Sequence, residues 1–537
     1  MLFRTIFSLN NEVLIESGFV QDTIYVNSIT LFDIVPECLL IFVILWILTN
    51  FYNDTVQPSF QYFRIRAIFI GIFIVVLING ENIYTMWPNS FCNTKIAFNF
   101  NWITSFYVYY SKAVVLLLII LLLLISEYKV TCTKKLSCIN EFPLILGFSV
   151  LFIFFLSSCY DFFAVYLSLE GLGLTLYVLA SMFNSSYCCL EASLKYFCLG
   201  GASSGISLFG VSWLYALVGS LDFLSVQLFI SFSNEFCSLF ELQVILICVL
   251  FNIFFKLSCF PVHIWVADVY EGVWSPITAY FAIVVKVSIL LFFFRVFFNT
   301  LSGETCCLRP IISYIASGSI FIGSFGAYAQ TKIKRFIAYT SINQVGLILT
   351  GILSCDIPGF ISSLGYLLLY ASMNLGFFTI VLNMRHLRNF RSIIYINEMR
   401  ALCYYDFEIS VHAIIIFFCM SGLPPIAGFI GKFNLYVAIA HIHQDFYLFV
   451  VLFINIISSY YYLNLLRFIF FSNSLDHNTE MSSDIDGYFL FNGDYRLYLL
   501  LRCLSVFLIC YSLLYSWIWP FLHYYSINGM YLLSNTY

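Results

Sequence analysis

Apolar runs of about 20 residues recur along nearly the whole chain, and they constrain its fold more than any other feature. Of its 537 residues, 61% are hydrophobic and 10% are charged. A soluble domain needs a far more charged surface, whereas a single helix crosses a bilayer with about 20 apolar residues. The sequence therefore predicts an all-α, polytopic membrane protein. The net charge of −4, without a basic tail, argues against nucleic acid as a partner.

The apolar runs and the breaks between them give about fourteen transmembrane spans. Basic clusters test this count, because positively charged loops stay on the inner side of a membrane. The clusters are Arg64 and Arg66; Lys129, Lys134 and Lys135; Lys332, Lys334 and Arg335; and Arg385, Arg388, Arg391 and Arg400. They follow the first, third, ninth and eleventh spans, so the count places all of them on one side.

Two sets of five spans share a pattern of interruption. The seventh span is broken at Pro261 and the twelfth at Pro424–Pro425, and each is the fourth span of its set. Interrupted helices at matching positions of two halves point to a transporter site, and an odd number of spans makes the repeats inverted. The predicted segments are an N-terminal extension at 1–28, spans 1–3 at 29–140, a first repeat (spans 4–8) at 141–300, a second repeat (spans 9–13) at 301–473, an acidic polar loop at 474–495, and the last span with its tail at 496–537.

Ionisable residues inside the spans are the candidate functional residues, because charges in lipid are costly and face protein or water. Glu170 lies nine residues beyond Asp161, which places it ~14 Å deep in a core of ~30 Å. Lys112 is nearer a helix end, so we expect it to extend its ammonium group to the interface. The candidates are Glu170, Lys195, Lys256, Lys286 and Lys432.

These residues suggest a mechanism. Burial disfavours a charged lysine and an adjacent carboxylate favours it, so movement or neutralisation of Glu170 would change the proton affinity of Lys256. The lysines would then pass a proton through water chains. The alternative is that they have only structural roles. His263 could be a relay or a hydrogen-bonded core histidine, and Asp268 and Glu271 could simply mark the water interface.

The cysteines and aromatic residues bear on cofactors and origin. The 18 cysteines include no Cys-x-x-Cys pair, so iron–sulfur or zinc ligation has no support, and most should be small buried hydrophobes. The 61 phenylalanines and 38 tyrosines fit an AT-rich organellar gene. The N-terminus does not resemble an Arg-rich transit peptide, which a protein made inside the organelle would not need.

Six stretches together resemble one known family, the antiporter-like membrane subunits of respiratory complex I. They cover about residues 160 to 440 and read DFFAVYLSLEGLGLTLYVLA, EASLKYFCLGGASSGISLFG, FKLSCFPVHIWVADVYEG, TAYFAIVVKVSILLFFFRVF, KIKRFIAYTSINQVG and MSGLPPIAGFIGKFNLY. Within the family, Lys432 favours the chain 2 type, because the chain 4 type has a glutamate there. The chain 5 type has a long lateral helix after its last span, and this chain ends soon after that span.

The resemblance implies fourteen helices, two inverted five-helix repeats and broken helices 7 and 12. It also implies residue roles: Glu170 tunes the input lysine Lys256, Lys286 is the central relay, Lys432 is the outlet, and Lys195 matches a further lysine of the sixth helix. The family usually has a histidine where this chain has Gln344, and glutamine can hydrogen-bond but cannot titrate. A proton-carrying role at Gln344 is therefore in doubt.

The resemblance further implies that this chain holds no cofactor, since NADH, FMN, iron–sulfur clusters and ubiquinone are bound by other subunits of the complex. Its expected partners are other membrane-arm subunits, including the neighbouring chain 4 type, and membrane lipids. The expected location is the mitochondrial inner membrane. Two alternatives stay open, a stand-alone cation/proton antiporter and a structural subunit without pumping.

Overall fold

A computed structural model of the chain covers its helical body. The residues it describes are 36–41, 43, 66, 68–77, 95–97, 101–133, 141–182, 187–232, 239–300, 305–354, 356–384, 393–399, 402–441, 443–471, 495–513 and 515. The predicted extension at 1–28 and, except for Tyr495, the predicted loop at 474–495 lie outside these residues.

Helix is present in every one of the fourteen predicted spans. In chain order the helices are α1 (36–41 and 43), α2 (Ile68–Leu77), α3 (Phe106–Thr133), α4 (Glu141–Ser158), α5 (Phe162–Ser181), α6 (Tyr187–Val218), α7 (Phe223–Phe232), α8 (Leu239–Leu257), α9 (Ile264–Gly272), α10 (Ser275–Tyr280), α11 (Lys286–Thr300), α12 (Thr305–Tyr328), α13 (Ile333–Ile352), α14 (Ile357–Asn383), α15 (Leu402–Tyr405), α16 (Phe407–Ser421), α17 (Ala427–His441), α18 (Asp445–Phe471) and α19 (Tyr495–Leu513). A π-helical turn, Phe281–Val285, joins α10 to α11, and Ile396–Met399 form a 3-10 turn.

Eight helical stretches in the described part of the chain are long and apolar enough to cross a membrane, and shorter apolar helices accompany them. The prediction of a mostly helical polytopic membrane protein is confirmed. Burial is uneven among these helices. The most apolar windows of Ser275–Phe297 and of α14 are 100% and 94% buried, whereas that of α18 is only 28% buried. The fully buried helices form the centre of the bundle.

Both predicted helix breaks are present, and they share a local geometry. One lies between α8 and α9 and the other between α16 and α17. Each begins with a residue in the left-handed region, Ser258 at φ 62° and Gly422 at φ 77°. Each also contains a cis peptide bond before a proline, Pro261 and Pro425. Two half-helices thus follow one another at each break, and the prolines Pro261, Pro424 and Pro425 are exposed at the surface of the chain.

A backbone bridge recurs at corresponding places in the two predicted repeats. In the first, Asp161 before α5 pairs with Asp222 after α6; in the second, Lys332 before α13 pairs with Tyr395 after α14. Each bridge ties the start of the repeat's second helix to the segment that follows its third. This correspondence supports the repeats, while the segment boundaries stay a prediction.

A short hairpin covers one end of the bundle. Strand β1 (Lys95–Ala97) pairs antiparallel with β2 (Trp102–Thr104), and Trp102 also bridges to Cys159 at the end of α4. The sequence predicts only helices, so this hairpin is a small difference from the prediction. Strands of three residues are too short to show an alternating apolar pattern in the sequence.

Candidate functional site

Lys256 lies near the end of α8, beside the first break, and is 3% exposed. Its Nζ is 2.8 Å from the point where a β-carbon would sit on Gly173 of α5. The absence of a side chain at Gly173 therefore leaves room for the ammonium group. Glu170, one turn earlier on α5, is half-buried. These two described residues form no ion pair within 4.0 Å.

Lys286 is fully buried where the two predicted repeats meet. Its Nζ donates to Ser258 Oγ at 2.6 Å and to Ser341 Oγ at 2.8 Å, and it lies 5.8 Å from the centre of the Tyr270 ring. Ser258 belongs to the first break and Ser341 to α13, so this one ammonium group joins both repeats. The π-helical turn Phe281–Val285 immediately precedes Lys286, and such turns occur frequently at functional sites.

Lys432 lies on α17, directs its ammonium group to the second break and is 2% exposed. Its Nζ donates to the carbonyls of Met420 and Ser421, both at 3.0 Å, and to Asn455 Oδ1 at 2.8 Å. The last carbonyls of a helix carry partial negative charge, so a cation at the end of α16 is stabilised. A β-carbon on Gly422 would lie 2.7 Å from Lys432 Cδ, which explains why glycine suits this position.

Two polar side chains, Gln344 and Tyr366, lie between Lys286 and Lys432. Gln344 lies one turn along α13 from the serine that binds Lys286, and its Oε1 accepts a hydrogen bond from Tyr366. The Tyr366 ring packs against Gly431, next to Lys432, where a β-carbon would be 2.8 Å away. Gln344 is therefore hydrogen-bonded to a tyrosine between the two lysines, although its amide cannot titrate.

Several buried polar atoms in this region have no hydrogen-bond partner among the described residues. They are Tyr270 OH, Gln344 Nε2, Tyr436 OH and Tyr462 OH. The Tyr270 hydroxyl faces Ser341, the Tyr436 hydroxyl faces Asn455 and the Tyr462 hydroxyl faces Gln344. None of the three pairs reaches hydrogen-bond geometry. Buried polar groups normally bond to protein or to ordered water. Each of these atoms offers a donor or an acceptor to an ordered water in the region of Lys286 and Lys432.

Lys195 lies apart from the buried lysines, in an ion-pair cluster at the far end of α9. Its side chain is 44% exposed and its Nζ contacts Glu191 at 2.7 Å and Asp268 at 3.1 Å. Asp268 also pairs with Arg335 at 3.3 Å, and Glu271 pairs with Arg335 and Lys332. This cluster links α6 and α9 to the start of α13. A relay role for Lys195 stays a prediction.

His263 immediately precedes α9 and is half-buried. Its Nδ1 has no hydrogen-bond partner among the residues the structure describes. Nearby, Trp265 Nε1 donates to the Phe255 carbonyl at 3.1 Å, and the Tyr196 ring stacks on Trp265 at 4.6 Å. These aromatic contacts hold the two half-helices together.

The expectation that Lys112 reaches the membrane interface is wrong. Lys112 is 1% exposed and forms an ion pair with Glu37 of α1. The physical reason is that α1 supplies a buried carboxylate and the β-hairpin covers this end of α3, with Trp102 5.8 Å from the ammonium group.

Sequence reasoning missed the groups that hold the lysines in place. Ser258 and Ser341 are common residue types in membrane helices and carry no charge to mark them. Asn455 gave a usable signal, as an amide within the apolar run of α18. In the described part of the chain, no group of three or more His, Cys, Asp or Glu residues could hold a metal ion.

The fold and the site define a class: a polytopic membrane protein in which two broken helices surround a buried row of lysines. Residues 159–458 match the family model described as NADH:quinone oxidoreductase/Mrp antiporter, transmembrane. The chain belongs to this family.

Relatives and solved structures agree with this assignment. NADH-quinone oxidoreductase subunit N of Paramagnetospirillum magneticum is 35% identical over 63% of this chain and 69% of its own length. NADH-quinone oxidoreductase subunit N of Rhodospirillum rubrum is 32% identical over 65% of this chain and 70% of its own length. A chain of respiratory complex I from Thermus thermophilus shares the fold at a TM-score of 0.70, with 20% identity, 90% of this chain and 98% of that chain covered. A chain of the Mrp complex from Dietzia sp. shares the fold at a TM-score of 0.72. The two chains are 17% identical, and the match covers 94% of this chain and 98% of that chain.

Proposed function

We propose that this chain is the chain 2-type membrane subunit of respiratory complex I, the counterpart of the relatives named subunit N. It contributes to proton translocation coupled to electron transfer from NADH to ubiquinone elsewhere in the complex. One observation carries the proposal. Lys256, Lys286 and Lys432 are all buried at or between the two helix breaks, and serine and amide oxygens accept hydrogen bonds from Lys286 and Lys432.

The lysines carry the proton as alternating ammonium and amine groups. Lys256 receives a proton at the first break, where the charge of Glu170 favours the ammonium form. The Ser258 and Ser341 hydroxyls hold the ammonium form of Lys286 by accepting from it. Beyond Ser341, water at the unpaired hydroxyls takes the proton to Lys432. Screening is weak among buried charges, so a change at Glu170 is felt along the row.

The chain acts as part of an H+-translocating NADH:ubiquinone reductase and has no redox centre of its own. Lysines and hydroxyls move protons, whereas hydride and electron transfer need groups of another kind. NADH, FMN, iron–sulfur clusters and ubiquinone are bound by other subunits. Lys195 is the member of the proposed proton path that lies at the surface. Its ammonium group and the Arg335 guanidinium both pair with the carboxylate of Asp268.

The partners are other membrane-arm subunits, including a neighbouring chain 4-type subunit, and membrane lipids. The proposed location is the mitochondrial inner membrane, with the gene in the organelle. One feature supports this location, the phenylalanine- and tyrosine-rich composition that fits an AT-rich gene.

A stand-alone cation/proton antiporter is the second candidate, and the likeness in fold to the Mrp complex chain favours it. Comigration of the native chain with a large NADH-oxidising assembly supports the first candidate. A chain that is purified alone and exchanges cations for protons supports the second. A structural subunit with silent lysines would keep full pumping after the charges of Glu170 and Lys286 are removed.

The test is Lys256→Met in the assembled complex. The substitution removes the ammonium group at the first break while keeping a long apolar side chain in its place. We expect the number of protons translocated per NADH oxidised to fall, with assembly unchanged. Lys332→Met, in the partly exposed ion-pair cluster, is the matched control and should have little effect. Unchanged translocation in Lys256→Met would rule out the relay.

A further inference from the structure

A buried tyrosine is hydrogen-bonded to the π-helical turn that precedes Lys286. Tyr370 of α14 donates from its hydroxyl to the Ala282 carbonyl at 2.6 Å. Ala282 is the second residue of the turn Phe281–Val285, and both Tyr370 and Ala282 are 0% exposed. Lys286 directly follows the turn, so the tyrosine bonds the backbone four positions before the central lysine.

The Ala282 carbonyl has an unusual donor. In an α-helix it would accept from the backbone N–H four residues later, which is that of Lys286. Here the Lys286 N–H donates to the Ile283 carbonyl instead. A buried backbone carbonyl without a donor is costly. The Tyr370 hydroxyl therefore satisfies the carbonyl that the π-helical turn separates from the Lys286 N–H.

The turn also sets the direction in which the Lys286 side chain points. A π-helical turn takes one more residue to close than an α-helical turn, and one residue corresponds to ~100° of rotation at ~3.6 residues per turn. If the turn became α-helical, the Ala282 carbonyl would regain the Lys286 N–H, and Lys286 would rotate about the helix axis relative to α10. The bonds from Lys286 Nζ to Ser258 Oγ at 2.6 Å and Ser341 Oγ at 2.8 Å would then break.

A second tyrosine makes the same kind of bond away from the turn. Tyr107 of α3 donates to the Leu291 carbonyl of α11 at 2.8 Å, and it is 3% exposed. Leu291 lies five residues after Lys286, within the α-helical part of this segment. The Tyr107 hydroxyl thus anchors the helix, whereas the Tyr370 hydroxyl also bears on which kind of turn precedes the lysine.

We propose that Tyr370 is a positioning residue for the central lysine, Lys286. By bonding the Ala282 carbonyl, its hydroxyl keeps the π-helical turn. The turn keeps the Lys286 ammonium group between Ser258 and Ser341. Tyr370 acts through the helix backbone and transfers no proton itself. Its effect on pumping rests on the proposed function, whereas its effect on the turn can be tested without it.

The test is Tyr370→Phe in the assembled complex, because this change removes the hydroxyl and keeps the ring. A map of the variant complex should show an α-helical turn at 281–285. It should also place Lys286 Nζ beyond hydrogen-bond distance of Ser258 and Ser341. Tyr107→Phe is the matched control and should keep both the π-helical turn and the position of Lys286, since its bond lies outside the turn.

Proton translocation by the reconstituted complex is the second readout. We expect Tyr370→Phe to lower the protons translocated per NADH oxidised by about twofold to tenfold, the factor that the net contribution of one hydrogen bond gives. The KM for ubiquinone should not change, and Tyr107→Phe should pump normally. Adding Tyr370→Phe to Lys286→Met should lower the proton yield no further, because the hydroxyl acts through this lysine.

The outcomes separate this inference from the proposed function. A π-helical turn that persists in Tyr370→Phe, with Lys286 still bonded to both serines, overturns the inference. A further loss of pumping when Tyr370→Phe is added to Lys286→Met, or an equal loss in Tyr107→Phe, also overturns it, because either result indicates a general packing defect. If Lys286→Met itself pumps normally, the proposed function fails, and the map alone decides whether Tyr370 sets the turn. If Lys286→Met loses pumping and Tyr370→Phe does not, only the positioning role of Tyr370 fails.

Discussion

Replacing Lys286 by methionine removes a fully buried cation that joins the two repeats, with little change in side-chain length. The ammonium group donates to Ser258 at 2.6 Å and to Ser341 at 2.8 Å. Both hydroxyls keep a carbonyl acceptor, Leu257 for Ser258 and Ala338 for Ser341, so neither is left without a hydrogen bond. The substitution should therefore change the chemistry of the site more than its packing.

The magnitude follows from these contacts. A hydrogen bond to a charged group contributes about 1.5–3 kcal/mol, so the pair stabilises a proton at this position by about 3–6 kcal/mol. At about 1.4 kcal/mol for each factor of ten, proton transfer should slow by about two to four orders of magnitude. Assembly should be nearly unaffected, because the variant also removes the desolvation penalty of a buried cation, which is several kcal/mol.

The assay is proton uptake into vesicles that contain the reconstituted complex, measured together with NADH oxidation. The Lys286→Met complex should translocate fewer protons per NADH than the wild type at equal complex content. Ser288→Ala is the matched control, because this buried serine of the same helix bonds only the Val285 carbonyl within the described part of the chain. A wild-type proton yield in Lys286→Met would refute the central relay, whatever its effect on NADH oxidation.

Two further predictions concern the second break and the bridge between α5 and α7. Asn455→Leu removes the only side-chain oxygen that accepts from Lys432 among the described residues, so proton yield should fall about tenfold or more in vesicle assays; an unchanged yield contradicts this. Burial, and then the charge of Asp161, raise the pKa of Asp222. Its ionisation therefore destabilises the fold as pH rises through that pKa. Asp222→Asn should raise the unfolding temperature at pH 8 but not below the ordinary aspartate pKa of about 3.9; a gain only in acid contradicts this.

The sequence predicted the elements whose signals are local. A transmembrane span, a proline break and a lysine in an apolar run can each be recognised within a segment of about 20 residues. Lys256, Lys286 and Lys432 are identified from such segments. The two breaks were located for the same reason, since Pro261 and Pro424–Pro425 interrupt otherwise continuous apolar runs. The repeat followed from their matching positions.

What the sequence did not predict depends on contacts between distant parts of the chain. Ser258 and Ser341 acquire meaning only when both reach the same ammonium group. Lys112 was expected to reach the interface because its partner Glu37 lies 75 positions away, on a helix whose approach no local pattern reveals. Lys195 could not be separated from the buried lysines by depth along α6 alone, because the exposed face of that helix is decided by packing.

The most direct measurement of the central claim is a map of the intact complex that resolves ordered water. Bound waters should lie at Tyr270 OH, Gln344 Nε2 and Tyr462 OH and should form a continuous hydrogen-bonded chain from Lys286 to Lys432. A dry, closely packed interior between these two lysines, with the hydroxyls bonded only to protein, would contradict proton transfer along this row.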